Sequence, residues 1–213
     1  MQLYSFFNSS TSYRVRIALA LKGLEYAYHG INLRTGEQRS TEYRALNPSA
    51  SVPLLVDEDG TSISQSLAII DFLDASHPGP RLIPEEPLAR ARVLEVANVI
   101  GCDIHPINNL RVLGYLQKVL GVSDEQKAAW YKYWVIEGLA AVEALLTRHG
   151  HGSYCFGETA TLADCCLVPQ VANALRMGCE LEQFELVMAI YRHCQEQPAF
   201  QLAAPANQPD FLA

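Results

Sequence analysis

The most informative segment of the chain is Ser9-Ser10-Thr11-Ser12-Tyr13-Arg14-Val15-Arg16-Ile17-Ala18, and it follows the apolar run Leu3-Tyr4-Ser5-Phe6-Phe7. The apolar run predicts a strand, and the hydroxyl residues mark the start of a helix. A helix N-terminus offers unpaired N–H groups and a partial positive charge, so it can be capped by hydroxyls or can hold an anion. Four consecutive hydroxyl residues followed by two arginines exceed what capping requires. They indicate a site for a thiolate or a carboxylate.

The composition is that of a globular protein with one large or two small domains. The chain has 213 residues, of which 49% are apolar and 18% charged, and its net charge is −7. Such a negative charge argues against a nucleic-acid surface. A signal peptide pattern and an apolar run of about 18 residues are both absent. We therefore expect a cytoplasmic location with no nucleic-acid and no membrane partner.

The cysteines and histidines give no metal signature. All six cysteines lie in the second half, and none forms a Cys-x-x-Cys pair. The absence of that pair argues against a zinc ribbon and a redox pair, so we expect buried free thiols. The segment His149-Gly150-His151 is more typical of a surface loop than of a ligand set. The sequence therefore predicts no metal.

The first 76 residues alternate strand and helix patterns in the order βαβαββα. Strands or extended segments are predicted at 3–7, 26–33, 52–56 and 61–64. Helices are predicted at 12–22 and 41–46, and a third follows the last strand with Ser66 as its cap. Four prolines within 77–87 predict a linker.

The remainder of the chain has only helical patterns. One long pattern covers 88–121 with a break at Pro106, and a capping box at Ser123 opens a helix over 124–148. The apolar side of that helix is predicted to carry Trp130, Trp134, Leu139, Val142 and Leu146. A further helix begins near Thr161, a final one covers 186–195, and the tail 203–213 is expected to lie loosely on the surface. The predicted domains are 1–80 and 88–213.

This organisation resembles the glutathione transferase architecture, in which a thioredoxin-like domain precedes an all-helical domain. The run from Ser9 to Leu19 resembles the signature of the zeta class, whose characterised members include maleylacetoacetate isomerase. Further segments similar to that class are Asn47-Pro48, Val52-Pro53, Gln65–Ile70, Ile100–Asn109 and Leu167–Ala174. The chain departs from the class at Thr11, where Cys is common, and at Asn8, where many members have Arg.

The resemblance implies glutathione as cofactor and assigns site residues. Ser9 would donate its hydroxyl proton to the thiolate, with Ser10 and Thr11 beside it and Arg176 as the fourth catalytic residue. Val52 would pair with the peptide of glutathione beside a cis Pro53, and Gln65 and Ser66 would hold the γ-glutamyl carboxylate. The full set of implied glutathione-binding residues is Ser9, Ser10, Thr11, Ser12, Tyr13, Arg14, Gln38, Val52, Pro53, Gln65, Ser66, His105, Asn109, Leu110 and Arg111.

The implied reaction is the cis–trans isomerisation of a maleyl diacid, with maleylacetoacetate as the first substrate and aromatic amino-acid breakdown as its setting. Three alternatives stay open at this point: a maleylpyruvate isomerase, a broader transferase acting on α-haloacids, and an interaction module without turnover. Intact Ser9, Val52-Pro53 and Gln65-Ser66 argue against the module. A solvated or structural role for Arg111 and Arg176 is about as well supported as substrate binding. The resemblance also implies a homodimer.

Overall fold

The computed structural model describes residues 1–211, and its internal contacts divide the chain into two units. The first unit contains 1–83 together with the described part of the C-terminal segment, 195–211, and the second contains 84–194. This grouping differs from the predicted boundaries at the C-terminus, because the last segment packs with the first unit. The domain boundaries at 1–80 and 88–213 stay a prediction.

The first unit has the predicted βαβαββα order. Its elements are β1 (Gln2–Ser5), α1 (Ser10–Leu21), β2 (Ala27–Gly30), α2 (Thr41–Leu46), β3 (Leu54–Val56), β4 (Ser62–Ser64) and α3 (Ser66–Ser76). The sheet is mixed and has the strand order β2-β1-β3-β4. β1 pairs in parallel with β2, while β3 pairs antiparallel with both β1 and β4. Helix α1 provides the crossover that a parallel β1–β2 pair requires.

The strand directions bring three loops to one edge of this sheet. Tyr4 near the end of β1 pairs with Leu54 at the start of β3, and Leu54 pairs with Ser64 at the end of β4. The residues that follow β1, precede β3 and follow β4 therefore meet at the same edge. This edge is where the predicted residues Ser9, Val52 and Gln65 belong.

The second unit is helical, as predicted. Its elements are α4 (Pro87–Asn98), a π-helical turn (Val99–Ile104), a 3-10 turn (Pro106–Asn108), α5 (Leu110–Lys118), α6 (Asp124–His149), α7 (Leu162–Arg176) and α8 (Glu185–Gln195). The predicted break at Pro106 is present, but it begins earlier, at the π-helical turn. The predicted starts at Ser123 and Thr161 are both capping boxes.

The buried face of α6 differs from the predicted one. Tyr131 and Val135 are buried, whereas Trp130 and Trp134 are half-buried. The indole N–H of Trp130 donates to the carbonyl of Ile107 at 3.0 Å, which holds the ring at the boundary of the core. Leu139, Val142 and Leu146 are buried as predicted.

The C-terminal segment contradicts two predictions. The chain does not end its helices at Gln195, because α9 (Pro198–Ala203) and a 3-10 turn (Pro205–Asn207) follow. Nor does the described part of the predicted tail, 203–211, lie loosely on the surface, because Ala203 and Gln208 are buried and Asp210 accepts a hydrogen bond from the N–H of Phe7 at 3.0 Å; positions 212–213 of that prediction lie outside the described residues. Phe200 is fully buried, and its carbonyl accepts a hydrogen bond from the hydroxyl of Tyr13 at 3.2 Å. Buried apolar side chains in the last turns fix this segment to α1.

Five of the six cysteines are buried free thiols, and Cys102 is the exception. It is exposed on the π-helical turn, which contradicts the expectation for all six. Within residues 1–211, no set of three or more His, Cys, Asp and Glu side chains is placed to hold a metal ion. None of the helices in the same range has the length and apolarity needed to cross a membrane.

Candidate functional site

Ser9 caps the N-terminus of α1. Its Oγ accepts a hydrogen bond from the N–H of Ser12 at 3.2 Å, and its own N–H donates to the carbonyl of Phe6 at 3.0 Å. Ser9, Ser10 and Thr11 are half-buried, so all three side chains are within reach of a ligand. The first turn of α1 contains no acidic residue. The partial positive charge of this helix end is therefore available to an anion.

A short chain of hydroxyl groups links Ser9 to Val52. The Thr11 hydroxyl donates to the Val52 carbonyl at 3.0 Å, and the oxygens of Thr11 and Ser9 lie 2.9 Å apart. Because Thr11 has a single hydroxyl proton and gives it to Val52, the proton between Ser9 and Thr11 belongs to Ser9. Ser9 is therefore positioned as a donor whose proton can turn from Thr11 to a better acceptor.

The loop before β3 is held rigid around Val52. Tyr43 and the side-chain amide of Asn47 each donate to the carbonyl of Ser51 at 2.7 Å. Burial raises the pKa of Tyr43 to about 12, so its hydroxyl stays a donor at neutral pH. The Val52–Pro53 peptide bond is cis, as the resemblance implied.

The N-terminus of α3 is open. The sequence predicted Ser66 as its cap, but the cap position is taken by Gln65, whose side chain makes no capping hydrogen bond. Gln65 has φ 73° and ψ 117°, a backbone conformation that non-glycine residues rarely adopt and that is typical of functional sites. No acidic residue lies in the first turn of α3. Because no side chain caps this end, its N–H groups are open to an anion.

Arg14 lies beneath this helix end. It is 1% exposed, and its NH1 group donates to the hydroxyl oxygen of Ser66 at 3.3 Å. Its Nε and NH2 groups are buried without any hydrogen-bond partner. Because the Ser66 oxygen accepts from Arg14, the Ser66 proton is free to be donated outward. An uncompensated buried cation below an open helix N-terminus favours a carboxylate ligand there.

Two further residues implied as glutathione ligands, Ser12 and Tyr13, are buried, and Gln38 is half-buried. Ser12 and Tyr13 are buried together with Arg14, and the Tyr13 hydroxyl is bound to the C-terminal segment. Their side chains therefore support the site from inside. Gln38 is half-buried in the 3-10 turn Glu37–Arg39, and its Oε1 has no hydrogen-bond partner.

In the second unit, three of the predicted residues lie at the start of α5, and a fourth, His105, precedes the 3-10 turn before that helix. Asn109 caps this helix, because its Oδ1 accepts from the N–H groups of Arg111 and Val112 at 3.0 and 3.2 Å. Leu110 and Arg111 are exposed in the first turn, and His105 is half-buried just before the 3-10 turn. Arg111 thus adds a positive charge to a helix N-terminus that already favours anions.

Arg176 is an exposed arginine at the end of α7 with an ordered guanidinium. Its NH2 group donates to the Oδ1 of Asn173, and the Asn173 amide donates to the hydroxyl of Tyr131 at 2.8 Å. Burial raises the pKa of Tyr131, which keeps its hydroxyl protonated. The sequence did not single out Asn173 or Tyr131 for this role. Their spacing along the chain gives no signal, because the two residues meet only through helix packing.

The structure brings the predicted residues together in separate groups. Ser9, Thr11 and Val52 form one hydrogen-bonded set, and Arg14 and Ser66 form a second in the same unit. In the second unit, Asn109, Leu110 and Arg111 share one helix end, and Arg176 lies at the end of another helix.

Comparison with known proteins gives a consistent result. Residues 8–76 match the family model of the glutathione S-transferase N-terminal domain. A probable maleylacetoacetate isomerase of Vibrio cholerae is 46% identical over 98% of this chain and 97% of its own length. A holo structure of maleylpyruvate isomerase, a bacterial zeta-class glutathione S-transferase, superposes with a TM-score of 0.96 at 45% identity and covers both chains fully. A structure of maleylacetoacetate isomerase from Methylobacterium extorquens AM1 with bound malonate and glutathione also covers both chains fully, with a TM-score of 0.96 at 34% identity.

Proposed function

The chain belongs to the zeta class of the glutathione transferases, and from this premise we propose that it isomerises maleylacetoacetate to fumarylacetoacetate with glutathione as cofactor. Its relatives carry the names maleylacetoacetate isomerase and maleylpyruvate isomerase. Both names describe a cis–trans change at a C=C bond conjugated to a carbonyl group. The enzyme class is therefore an isomerase within the transferase fold.

The polar groups of the first unit fit glutathione. The open N-terminus of α3 suits the γ-glutamyl carboxylate, because Ser66 and the buried Arg14, whose Nε and NH2 groups lack hydrogen-bond partners, lie at this end. The N–H of Val52 has no partner among the described residues and suits a peptide carbonyl, as in strand addition. Ser9 suits the thiolate, with Ser10 and Thr11 beside it. We assign Gln65 to the amino group of the γ-glutamyl end of glutathione and Gln38 to its glycyl end.

When bound, glutathione supplies a thiolate nucleophile whose reversible addition to the conjugated C=C bond permits rotation. Ser9 makes that thiolate available. Its hydroxyl proton turns from Thr11 to the sulfur, and the N-terminus of α1 adds a favourable field. A hydrogen bond to a charged group contributes about 1.5–3 kcal/mol, which is enough to lower a thiol pKa by one to two units, at about 1.4 kcal/mol per unit.

The second unit supplies positive groups for a dianionic substrate. Arginine binds a carboxylate through a planar fork, and the Asn173 side chain holds the Arg176 guanidinium in one orientation. Arg111 adds its charge at the N-terminus of α5, beside the Asn109 cap. We assign Arg176 to a substrate carboxylate and to the charge that develops on the carbonyl oxygen. His105, Asn109 and Arg111 are our further candidates for contacts with the substrate.

One observation carries this proposal: the half-buried Ser9 hydroxyl at the N-terminus of α1, whose proton is held by Thr11 rather than by a backbone carbonyl. A helix cap needs only the oxygen of the serine. The hydroxyl proton of Ser9 is therefore available for donation to an anion such as the thiolate.

The direct test measures isomerisation of maleylacetoacetate and of maleylpyruvate by the purified protein, with and without glutathione. We expect turnover only with glutathione and a higher kcat/KM for maleylacetoacetate. A higher kcat/KM for maleylpyruvate would instead identify the protein as a maleylpyruvate isomerase, the alternative supported by the zeta-class structure. Activity on α-haloacids alone would indicate a broader transferase. Glutathione binding without any turnover would indicate an interaction module.

Three further assignments complete the proposal: a homodimer, a cytoplasmic location and a role in tyrosine and phenylalanine breakdown. Exposed apolar side chains on the second unit, among them Tyr115, Val119 and Tyr133, support a subunit interface. Light scattering on the eluted protein tests the dimer. Growth on tyrosine of a strain that lacks the gene tests the pathway.

A further inference from the structure

The C-terminal segment reaches the loop that precedes Ser9. After α9 the chain turns through Pro205–Asn207, and the buried Gln208 amide donates to the carbonyls of Leu202 and Ala204 at 3.0 and 2.9 Å. These bonds close the turn and direct the following residues back toward the sheet. The Phe211 ring then lies edge-on to the Phe7 ring, with 5.4 Å between centroids.

Asp210 connects this loop to β2, because each of its two carboxylate oxygens accepts one hydrogen bond. Its Oδ2 accepts from the N–H of Phe7 at 3.0 Å, and its Oδ1 accepts from the hydroxyl of Tyr28 at 2.6 Å. Gly30 makes room for it, because a Cβ at Gly30 would lie 3.2 Å from the Asp210 Cβ. Phe7 is two residues from Ser9, whose N–H bonds to the Phe6 carbonyl and closes the turn.

Arg16 holds the other side of the same loop. It is 1% exposed, and its NH1 and NH2 groups donate to the carbonyls of Phe6 and Phe7 at 3.3 and 3.0 Å. Its Nε donates to the carbonyl of Ala203 at the end of α9, at 2.9 Å. One guanidinium thus joins the C-terminal helix to the loop. With Asp210 on the N–H and Arg16 on the C=O, both polar groups of the Phe7 backbone are fixed.

We propose that Asp210 is a positioning residue for the thiolate site: it fixes the Phe6–Ser9 turn and so directs the Ser9 hydroxyl toward the cofactor. The assignment rests on the proposed function, since it takes Ser9 as the thiolate donor. Asp210 itself touches no reacting atom. Its effect reaches the site through the Phe7 backbone, across more than 200 positions of sequence.

The test begins with the ligand-free protein. In Asp210→Ala, we expect the Phe7 and Ser9 amides to exchange hydrogen roughly 10-fold faster than in the wild type, since local opening becomes easier. Asp59→Ala is the matched control, because the Asp59 carboxylate also accepts from a backbone N–H, that of Thr61 at 2.8 Å in a turn of the same unit. This control should leave both amides unchanged.

The second measurement is the pKa of bound glutathione thiol, followed by ultraviolet absorbance against pH. We expect Asp210→Ala to raise this pKa and to lower kcat/KM for glutathione about 10-fold, because small displacements of a positioned group are costly. The KM for the maleyl acid should stay unchanged. Asp210→Asn keeps an acceptor for Phe7 and should restore most of the loss, while Tyr28→Phe should give a smaller effect of the same sign.

Two results would overturn the inference. One is an unchanged thiol pKa in Asp210→Ala although its Phe7 amide exchanges faster, which would make the contact purely structural. The other is unchanged exchange at Phe7 in that variant. If Asp210→Ala does not fold, Tyr28→Phe, which removes one of the two hydrogen bonds of the Asp210 carboxylate, decides by the same two measurements. Failure of the proposed function is seen separately, as a wild-type protein that binds glutathione but isomerises neither maleyl acid.

Discussion

The two units carry their candidate ligand groups in different ways. In the first unit, the relevant groups are buried or half-buried and bound to one another: Ser9 to Thr11, Thr11 to Val52, and Arg14 to Ser66. In the second, Arg111 and Arg176 are exposed, and only Arg176 is held by a neighbouring side chain. A constant cofactor suits a preorganised site, because less conformational entropy is lost on binding. Exposed arginines suit a set of related acids, since they can adapt to each.

The largest effect should come from removing the Ser9 hydroxyl. Ser9→Ala removes a hydrogen bond to a charged sulfur, about 1.5–3 kcal/mol, so the rate should fall roughly 10- to 150-fold and the bound thiol pKa should rise. Absorbance against pH measures the pKa. Ser40→Ala is the control, because Ser40 caps α2 through the Tyr43 N–H at 3.1 Å and serves no ligand. An unchanged titration in Ser9→Ala would transfer the role to Ser10 or Thr11.

The next effect concerns the buried cation of the first unit. Arg14→Met removes a charge that only a bound carboxylate would compensate, so glutathione affinity should fall roughly 10-fold, or about 1.4 kcal/mol. The melting temperature should not fall, since an apolar side chain replaces an unpaired buried charge. Calorimetry gives both quantities.

The contrasting variant is Lys22→Met, because Lys22 is equally buried but is paired with Asp74 at 3.2 Å. It leaves Asp74 with Arg81 at 3.8 Å as its remaining cationic neighbour and should lower the free energy of unfolding by roughly 3 kcal/mol, with normal glutathione affinity. Loss of stability without loss of affinity in Arg14→Met would contradict the assignment of Arg14 to the carboxylate site.

A smaller effect is expected in the second unit. Arg176→Lys keeps the charge but loses the planar fork, so kcat/KM for the maleyl acid should fall roughly fivefold, in the range of exposed ion pairs. Glutathione binding should stay normal. Arg192→Lys is a matched exposed control on α8. Normal steady-state kinetics in both Arg176→Lys and Arg176→Ala would make Arg176 structural and direct attention to Arg111 and His105.

The smallest effect should have the opposite sign. Thr11→Val removes the group that holds the Ser9 proton, so the bound thiol pKa should fall by a few tenths of a unit and the thiolate fraction should rise about twofold. Thr35→Val is the control, because Thr35 also donates to a backbone carbonyl, that of Asn32 at 3.1 Å. A raised thiol pKa in Thr11→Val would mean that Thr11 orients Ser9 rather than competing with the sulfur.

Several features of the fold were predictable because they depend on neighbours in sequence. The capping boxes at Ser123 and Thr161 follow from side chains three residues away. The hydroxyl residues also marked the start of α1, although the helix begins at Ser10, two residues before the predicted start, with Ser9 as its cap. Where the local signal is ambiguous, the prediction failed by a small amount. Ser66 is a good capping residue, but the cap position of α3 is one residue earlier, at Gln65, which adopts a positive φ.

The order of strands and helices in the first unit and the hydroxyl-rich helix start could be read from the chain alone, since these are local patterns, whereas the candidate site residues came from the resemblance to the zeta class. How residues far apart in the chain share polar atoms depends on the packing of the folded molecule. Arg14 and Arg16 show this. They lie two residues apart on one helix and are both buried, yet Arg16 donates to four acceptors, while two groups of Arg14 have no partner. The difference arises because the carbonyl of Ala203 and the loop before Ser9 meet Arg16, and no comparable acceptors meet Arg14. Partners of buried charges are set by packing, which no local pattern records.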